Sequence, residues 1–448
     1  MFIDFLLDEY KSNANKDALV WHKEVYSYGN MLDLFEIWRL KLEKENLPEG
    51  SVIALDADFS PASIALLLAL IESKCIIALL SKAVKEKKEA YCEIAEAEYM
   101  ISLSSDDQVS VIKYDRRAEH EIHAKLRDLG HPGVILYSSG STGKSKAAVH
   151  DFVPLLEKFK TKRHAKRTIA FLLFDHIGGL NTMFYTFSNG GCLVTVQDRS
   201  PKSVCDAIEK YQIQALPTSP TFINLIMLSE AYKDYNLESL ELVTYGTEVM
   251  PETTLKKFHS LFPSIRLLQT YGLSEVGILR SKSKSSDSLW VKVGGEEFQT
   301  RVRNGMLEIK AQSAMLGYLN ASSPYTEDGW FMTQDEVEVD GEYIRILGRT
   351  SEMINVGGEK VSPAEVESVI QLMEGVQEVA VSSEPNPITG QMVKAFIKLS
   401  TTETIKEFRI RLFQFCKEKL PAYKIPQKLV LVDHWMHNDR FKKMRNLN

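Results

Sequence analysis

Val134-Ile135-Leu136-Tyr137 runs directly into Ser138-Ser139-Gly140-Ser141-Thr142-Gly143-Lys144-Ser145-Lys146. The apolar residues read as a short buried strand. The residues after them read as a loop of glycines, hydroxyls and lysines. Glycines let a backbone curl so that several N–H groups point at one anion, hydroxyls add donors and lysines add charge. The stretch therefore reads as a phosphate cradle. A P-loop needs G-x-x-x-x-G-K-[ST]; Gly143-Lys144-Ser145 supplies the ending, but Ser138 stands where the first glycine belongs. A flexible Gly/Ser linker explains neither the lysines nor the strand before them.

The 448 residues suffice for two or more domains, and 44% apolar with 25% charged residues is ordinary for a globular chain. A net charge of −6 argues against general nucleic-acid binding. Cys75, Cys92, Cys192, Cys205 and Cys416 are scattered without a C-x-x-C pair, which suggests reduced thiols and a cytoplasmic location. The first residues are apolar but acidic, unlike a targeting segment. The apolar run Ile64 to Leu80 is interrupted by Glu72 and Lys74, so no stable membrane association is expected.

Along the chain, strand-like and helix-like runs alternate. Strands are expected at 51–55, 76–80, 99–102, 168–173, 191–196, 215–218, 240–244 and 265–269. Helices are expected at 61–71, 82–96, 180–187 and 203–211. Such alternation predicts α/β architecture with parallel strands. From Trp290 to Ile309 the pattern turns to antiparallel β, and the last hundred residues read as a smaller α+β unit. The expected fold is a large N-terminal domain of α/β layers with a β-rich subdomain, residues 1–349, and a small α+β C-terminal domain, residues 350–448.

The opening loop closely resembles the signature of the adenylate-forming superfamily: acyl- and aryl-CoA synthetases, peptide-synthetase adenylation domains and luciferases. Four further stretches fall in that family's order. Thr270-Tyr271-Gly272-Leu273-Ser274-Glu275 resembles its Y-G-x-[ST]-E motif, and Asp328-Gly329-Trp330-Phe331-Met332-Thr333-Gln334-Asp335 its D-G-W-x-x-T-G-D motif. Leu347-Gly348-Arg349 through Glu367 resembles its hinge and C-domain opening. Asn438 to Arg445 sits where its terminal T-x-x-G-K-x-x-R lies, retaining Lys442 and Arg445.

The resemblance implies an AMP-forming acid–thiol ligase whose small C-terminal domain is mobile, rotating between the two half-reactions. A carboxylic acid attacks ATP, pyrophosphate leaves, and the acyl-adenylate passes its acyl group to CoA or to the phosphopantetheine of a separate carrier protein. It implies that Ser138, Ser139, Gly140, Ser141, Thr142, Gly143 and Lys146 hold the departing phosphates. Ser274 would meet the α-phosphate and Glu275 would hold Mg²⁺, a hard cation that prefers oxygen. Tyr271 and Gly272, with Gly246-Thr247-Glu248, would frame adenine. Asp335 would grip the ribose hydroxyls, Arg349 would make a second ribose or phosphate contact, and Lys442 would bridge the carboxylate and the α-phosphate.

His176 in Phe174-Asp175-His176-Ile177-Gly178-Gly179-Leu180-Asn181 resembles the H-x-x-x-L-N segment that closes over the acyl pocket. Gly178 and Gly179 are expected to leave room for a planar ring or an acyl chain, so the acid is expected to be aryl or fatty. Asp175 leaves an amino acid open, because peptide-synthetase domains carry a Phe-Asp nearby whose aspartate binds the amino group. Lys158, Lys160, Lys162, Arg163, Lys166 and Arg167 form a basic cluster: a solvated face, or a landing site for CoA phosphates or an acidic carrier. Ser145, Gln334, Ser351, Asn355 and Phe441 depart from the family pattern. The altered hinge and Phe441 keep open a non-catalytic nucleotide-binding protein.

Overall fold

The computed structural model describes residues 1–139, 145–295, 297–438 and 440–445. Val52–Asp56 and Ile76–Leu80 pair in parallel at the centre of a first sheet, flanked by Tyr99–Leu103 and Gly133–Ser139. Both central strands are apolar and buried along almost their whole length, as parallel strands covered on both faces must be. Antiparallel strands close this sheet: Val109–Lys113 on one side, Ser145–Asp151 and then Gly317–Tyr318 on the other.

A second sheet runs Arg266–Gln269, Leu242–Tyr245, Ala215–Thr218, Arg167–Ile169, Cys192–Val194 and Asp17–Trp21, all parallel, with Glu24–Ser27 added antiparallel. Helices Asp4–Ser12, Tyr28–Lys44, Pro61–Glu72 and Ile177–Ser188 lie between the sheets and share one core with strands of both. Pro61–Glu72 is apolar all round because it is buried all round. Its start is fixed by Ser60 and Ser63 in a reciprocal cap, with Pro61 in the first turn. Helices Pro201–Tyr211, Pro220–Ser229 and Glu252–Leu261 cover the outer face of the second sheet, and Lys88–Ile94 with Glu121–Leu129 that of the first.

Strands between Ser281 and Arg349 form an antiparallel sheet with its own core. The remaining chain is a smaller α+β unit. Helices Pro363–Ile370 and Ile405–Cys416 pack on a sheet built from Ile354–Val356, Glu359–Val361, Val376–Asn386, Gly390–Leu399 and Lys428–Leu431. Among the described residues no helix is long and apolar enough to cross a membrane.

Two expected elements differ. The helix expected over 82–96 breaks into a 3₁₀ turn, Lys82–Lys87, and a helix only from Lys88 to Ile94. Lysines crowd the first turn, where the helix dipole disfavours cations. The strand expected over 168–173 stops at Ile169. From Ala170 the chain leaves the sheet and carries Phe174 and Asp175 inward to the start of Ile177–Ser188.

Phe184 stands between the sheets, with its ring centroid 6.2 Å from that of Phe152 and 5.6 Å from that of Phe159. Phe184→Ala should cost about 3–5 kcal/mol of stability. Denaturant unfolding checks this, and a loss below about 1 kcal/mol would contradict the inter-sheet core.

Candidate active site

The carboxyl ends of the parallel strands of both sheets open on one cavity of about 720 Å³. Ligands of open α/β sheets bind at such strand ends. Tyr137 and Ser138 reach it from the first sheet, and Thr218, Gly246 and Thr270 follow strands of the second. Arg440 and Lys442 enter from the far end of the chain.

Ser138 and Lys146 flank the glycine loop and both line the cavity. Gly140, Ser141, Thr142, Gly143 and Lys144 lie outside the described residues, while the Ser139 backbone pairs with Ser145. The Lys146 ammonium stands 5.2 Å from the centre of the Tyr318 ring. Tyr318 donates its hydroxyl to Glu275 Oε1 at 2.8 Å, and Ser138 donates to the same oxygen at 3.3 Å. Thus Lys146, Ser138 and Glu275 form one polar wall, with Ser274 beside them. His150 fixes Ser274 by donating to its carbonyl.

Other expected residues stand elsewhere. Tyr271 is buried in the core of the antiparallel sheet and donates its hydroxyl to Asp335. Burial pushes the Asp335 carboxyl up, opposed by Arg349, whose Nε lies 3.3 Å away. Arg349 and Gly272 line the cavity; Tyr271 and Asp335 sit behind them. Gly246 and Thr247 also line it, whereas the Glu248 carboxylate accepts from the backbone N–H of Thr221 at 2.8 Å and of Lys443 at 3.0 Å.

His176 caps the helix Ile177–Ser188: its Nδ1 accepts from the Gly178 N–H at 3.0 Å. That contact requires an unprotonated Nδ1, so the neutral ring carries its proton on Nε2. Burial, helped by Lys442 and Arg440, holds its pKa well below the ordinary value. Lys442 stands half-buried in the same cavity, and among the described residues its ammonium forms no ion pair. Burial, then the charge of Arg440, lowers its pKa to about 8.

The expectation that both glycines leave room holds for one. Gly178 lines the cavity. At Gly179 a Cβ would lie 2.0 Å from the Leu173 carbonyl oxygen, so this glycine lets the helix press on the segment before it.

Asp175 does not face the cavity as a free anion. It is buried and paired with Arg440 at 2.8 Å. Lys158 leaves the basic cluster altogether: its ammonium donates to Asn181 Oδ1 at 2.7 Å and to the Ile278 carbonyl at 2.9 Å. Burial lowers its pKa to about 7. It is therefore no landing site for phosphate. Sequence reasoning missed the Lys82–Lys87 turn, which borders the cavity. The interrupted helix had a signal in its lysine-rich first turn.

The AMP-binding enzyme profile matches residues 10–303, and the profile of that family's C-terminal domain matches residues 365–442. The chain belongs to the AMP-binding enzyme family. It is thus one of the adenylate-forming ligases that its motifs resemble. It is 28% identical over 355 residues to the 2-succinylbenzoate–CoA ligase of Bacillus velezensis, covering 73% of this chain and 70% of that protein. It is 25% identical over 337 residues to a long-chain-fatty-acid–CoA ligase of Mycobacterium tuberculosis, covering 70% of this chain and 66% of that one. The fold matches a crystal structure of an anthranilate CoA ligase in complex with anthranoyl-AMP. Its TM-score is 0.82 at 19% identity, covering 99% of this chain and 95% of that one.

Two departures from the family's motifs have a backbone consequence. Gln334 and Phe441 replace glycines, and both take left-handed φ values of 61° and 51°. The turns are kept although the residues that suit them are gone, at a cost of about 1 kcal/mol or more each.

Gly179→Ala should severely reduce soluble yield and melting temperature, because the obstructing atom is backbone. Gly178→Ala meets only the tip of Leu172 and the His176 ring, and should remain folded with a smaller cavity. Comparable melting temperatures for the two variants would contradict this difference.

Proposed function

We propose that this chain activates a carboxylic acid with ATP and transfers the acyl group to a thiol. A carboxylate oxygen attacks the α-phosphorus, the bond to the β-phosphate oxygen breaks, and pyrophosphate leaves. A thiolate then attacks the acyl carbon of the adenylate and AMP departs. The observation that carries this reading is Lys442. A half-buried ammonium with no carboxylate partner among the described residues stands in one cavity with the Ser138–Lys146 wall, Glu275 and neutral His176. Substrate anions would supply the negative charge that its surroundings lack.

Lys146 and Ser138 would neutralise the departing phosphates. Among the described residues Glu275 accepts only on Oε1, which leaves its other oxygen for Mg²⁺. One carboxylate plus substrate phosphates is how Mg²⁺ is commonly bound, and it would offset charge on those phosphates. Among the described residues there is no denser metal cluster. His176 would donate Nε2–H toward the carboxylate or the acyl-phosphate oxygen. Arg349 would meet the ribose, with Asp335 and Tyr271 supporting it from behind. The unit after Arg349 acts as the lid that carries Lys442.

The acid is aryl or fatty in this reading. Asp175 already holds Arg440, which leaves an amino-acid substrate without the free carboxylate that suggested it. The acceptor is CoA, with carrier-protein phosphopantetheine as the alternative thiol. Five free, buried cysteines support a cytoplasmic setting.

Pyrophosphate exchange across a panel of aryl, fatty and amino acids, with CoA added separately, tests the function. ATP binding without exchange for any acid would sink it. Lys442→Ala should lower exchange by about 100-fold or more while sparing transfer from a supplied acyl-adenylate. Because Lys442 acts charged and titrates near 8, kcat/KM for adenylation should fall as pH rises through that value. Lys442→Arg should move the alkaline limb upward; an unmoved limb would assign it to another group.

A further inference from the structure

The described residues of 436–445 form a tight hairpin. The Met444 N–H donates to the Met436 carbonyl at 2.8 Å, and the Asn438 N–H to the Lys442 carbonyl at 3.0 Å. On one side this hairpin is bound to the small C-terminal unit. Arg445 donates to Glu367 at 2.9 and 3.0 Å, Lys443 lies 3.3 Å from the same carboxylate, and the Met436 N–H donates to Glu378 at 2.8 Å. On the other side its tip reaches the large unit through a different set of contacts.

The guanidinium of Arg440 donates to Asp175, which is only 4% exposed, at 2.8 Å. Phe441 fills an aromatic pocket, its centroid 5.3 Å from Phe171 and 5.1 Å from Phe222. The Ser219 hydroxyl donates to the Phe441 carbonyl at 2.7 Å. These contacts immediately precede Lys442. The ring packs at the cost of a left-handed backbone at Phe441, which the surrounding contacts hold in place.

We propose that Asp175, Arg440 and Phe441 form a clamp that positions Lys442 in the cavity for adenylation and must open before thiol transfer. The inference rests on the assignment of Lys442 to the adenylation step. The clamp makes and breaks no covalent bond. Its bias comes from Asp175: withdrawing Arg440 strands a buried carboxylate, and removing one partner of a buried pair is far costlier than never forming it. Asp175 Oδ1 is buried without a hydrogen-bond partner among the described residues; the nearby Ser81 hydroxyl favours the carboxylate but carries no charge, so among the described residues Arg440 is the cation that pairs with it. Departure of the hairpin is opposed and its return is favoured. Arg440 and Asp175 are thus positioning residues, acting through Lys442.

The full-length protein tests this by separating the two half-reactions. Pyrophosphate exchange measures adenylation, and release of AMP from a synthetic acyl-adenylate on addition of CoA measures transfer. Asp175→Asn and Arg440→Gln should each lower exchange about tenfold or more and leave transfer equal or faster. Arg440→Lys, which can remake a single-contact ion pair, should retain more exchange than Arg440→Gln. Lys442→Ala is the reference. If it abolishes exchange while both clamp variants exchange normally, the clamp is wrong and the function stands. Equal loss of both half-reactions in Arg440→Gln, at unchanged melting temperature, also overturns the clamp. Absence of exchange in the unaltered protein would overturn the function and the clamp with it. Should Asp175→Asn fail to fold, Arg440→Gln alone decides, because the Arg440 side chain is partly exposed at the hairpin tip.

Discussion

A single ammonium has to be carried into a cavity built by another part of the chain, and much of the molecule serves that requirement. The walls come from two parallel sheets whose strand ends are rigid because helices fill the space between them. Lys442 comes from a hairpin near the end of the sequence. A partly desolvated cation with no counter-ion among the described residues is unfavourable. It persists only where neighbouring contacts outweigh that cost, and the contacts on either side of Lys442 supply them.

The hairpin is held by two opposed ion networks. Glu367, fully buried, is kept charged against the cost of burial by Arg445 and Lys443, which together hold its pKa below the ordinary range. That network lies within the small unit. Asp175–Arg440, Ser219–Phe441 and the Glu248 contact to the Lys443 N–H cross to the large unit. In the proposed opening, the small unit would keep the first set and break the second. In that reading the hairpin acts as a finger with a releasable tip. Helix Pro363–Ile370 contributes to the same interface, because Ser368 meets Thr253 of the large unit through their hydroxyls at 3.2 Å.

The architecture was legible in the sequence because its cues are local and redundant. Apolar runs of strand length alternate with helix-length runs, and five ordered motifs fix the family. What the sequence hid is pairing across long separations. Nothing near Asp175 indicates that its partner lies 265 residues away. Lys158 looked like one of six surface cations, and only the packing of Asn181 and Ile278 shows that its ammonium points inward. Tyr271 and Asp335 sit in correctly recognised motifs, yet they meet each other behind the wall. A motif specifies neighbours along the chain, not which of two adjacent side chains faces a cavity. Gly179 was misjudged for a related reason: a missing side chain can make space for a ligand or for the protein's own backbone, and only geometry distinguishes them.

The polarity of the cavity follows from those hidden contacts. His176 has its Nδ1 committed to the Gly178 N–H, so the ring can offer the cavity only a donor. Lys158, when charged, can only donate, so Asn181 must present its oxygen to it. The Asn181 amide NH₂ is then left without a partner among the described residues, at a position that lines the cavity. Lys146, Arg349 and Lys442 add cations, while Glu275 is the one lining carboxylate among the described residues beyond the Lys82–Lys87 turn. Donors and positive charge therefore dominate the walls from the glycine loop to the acyl end. Such a surface suits a reaction in which a carboxylate and a triphosphate must meet despite their mutual repulsion. It would be a poor host for a substrate ammonium, whose natural partner, Asp175, is already bound to Arg440.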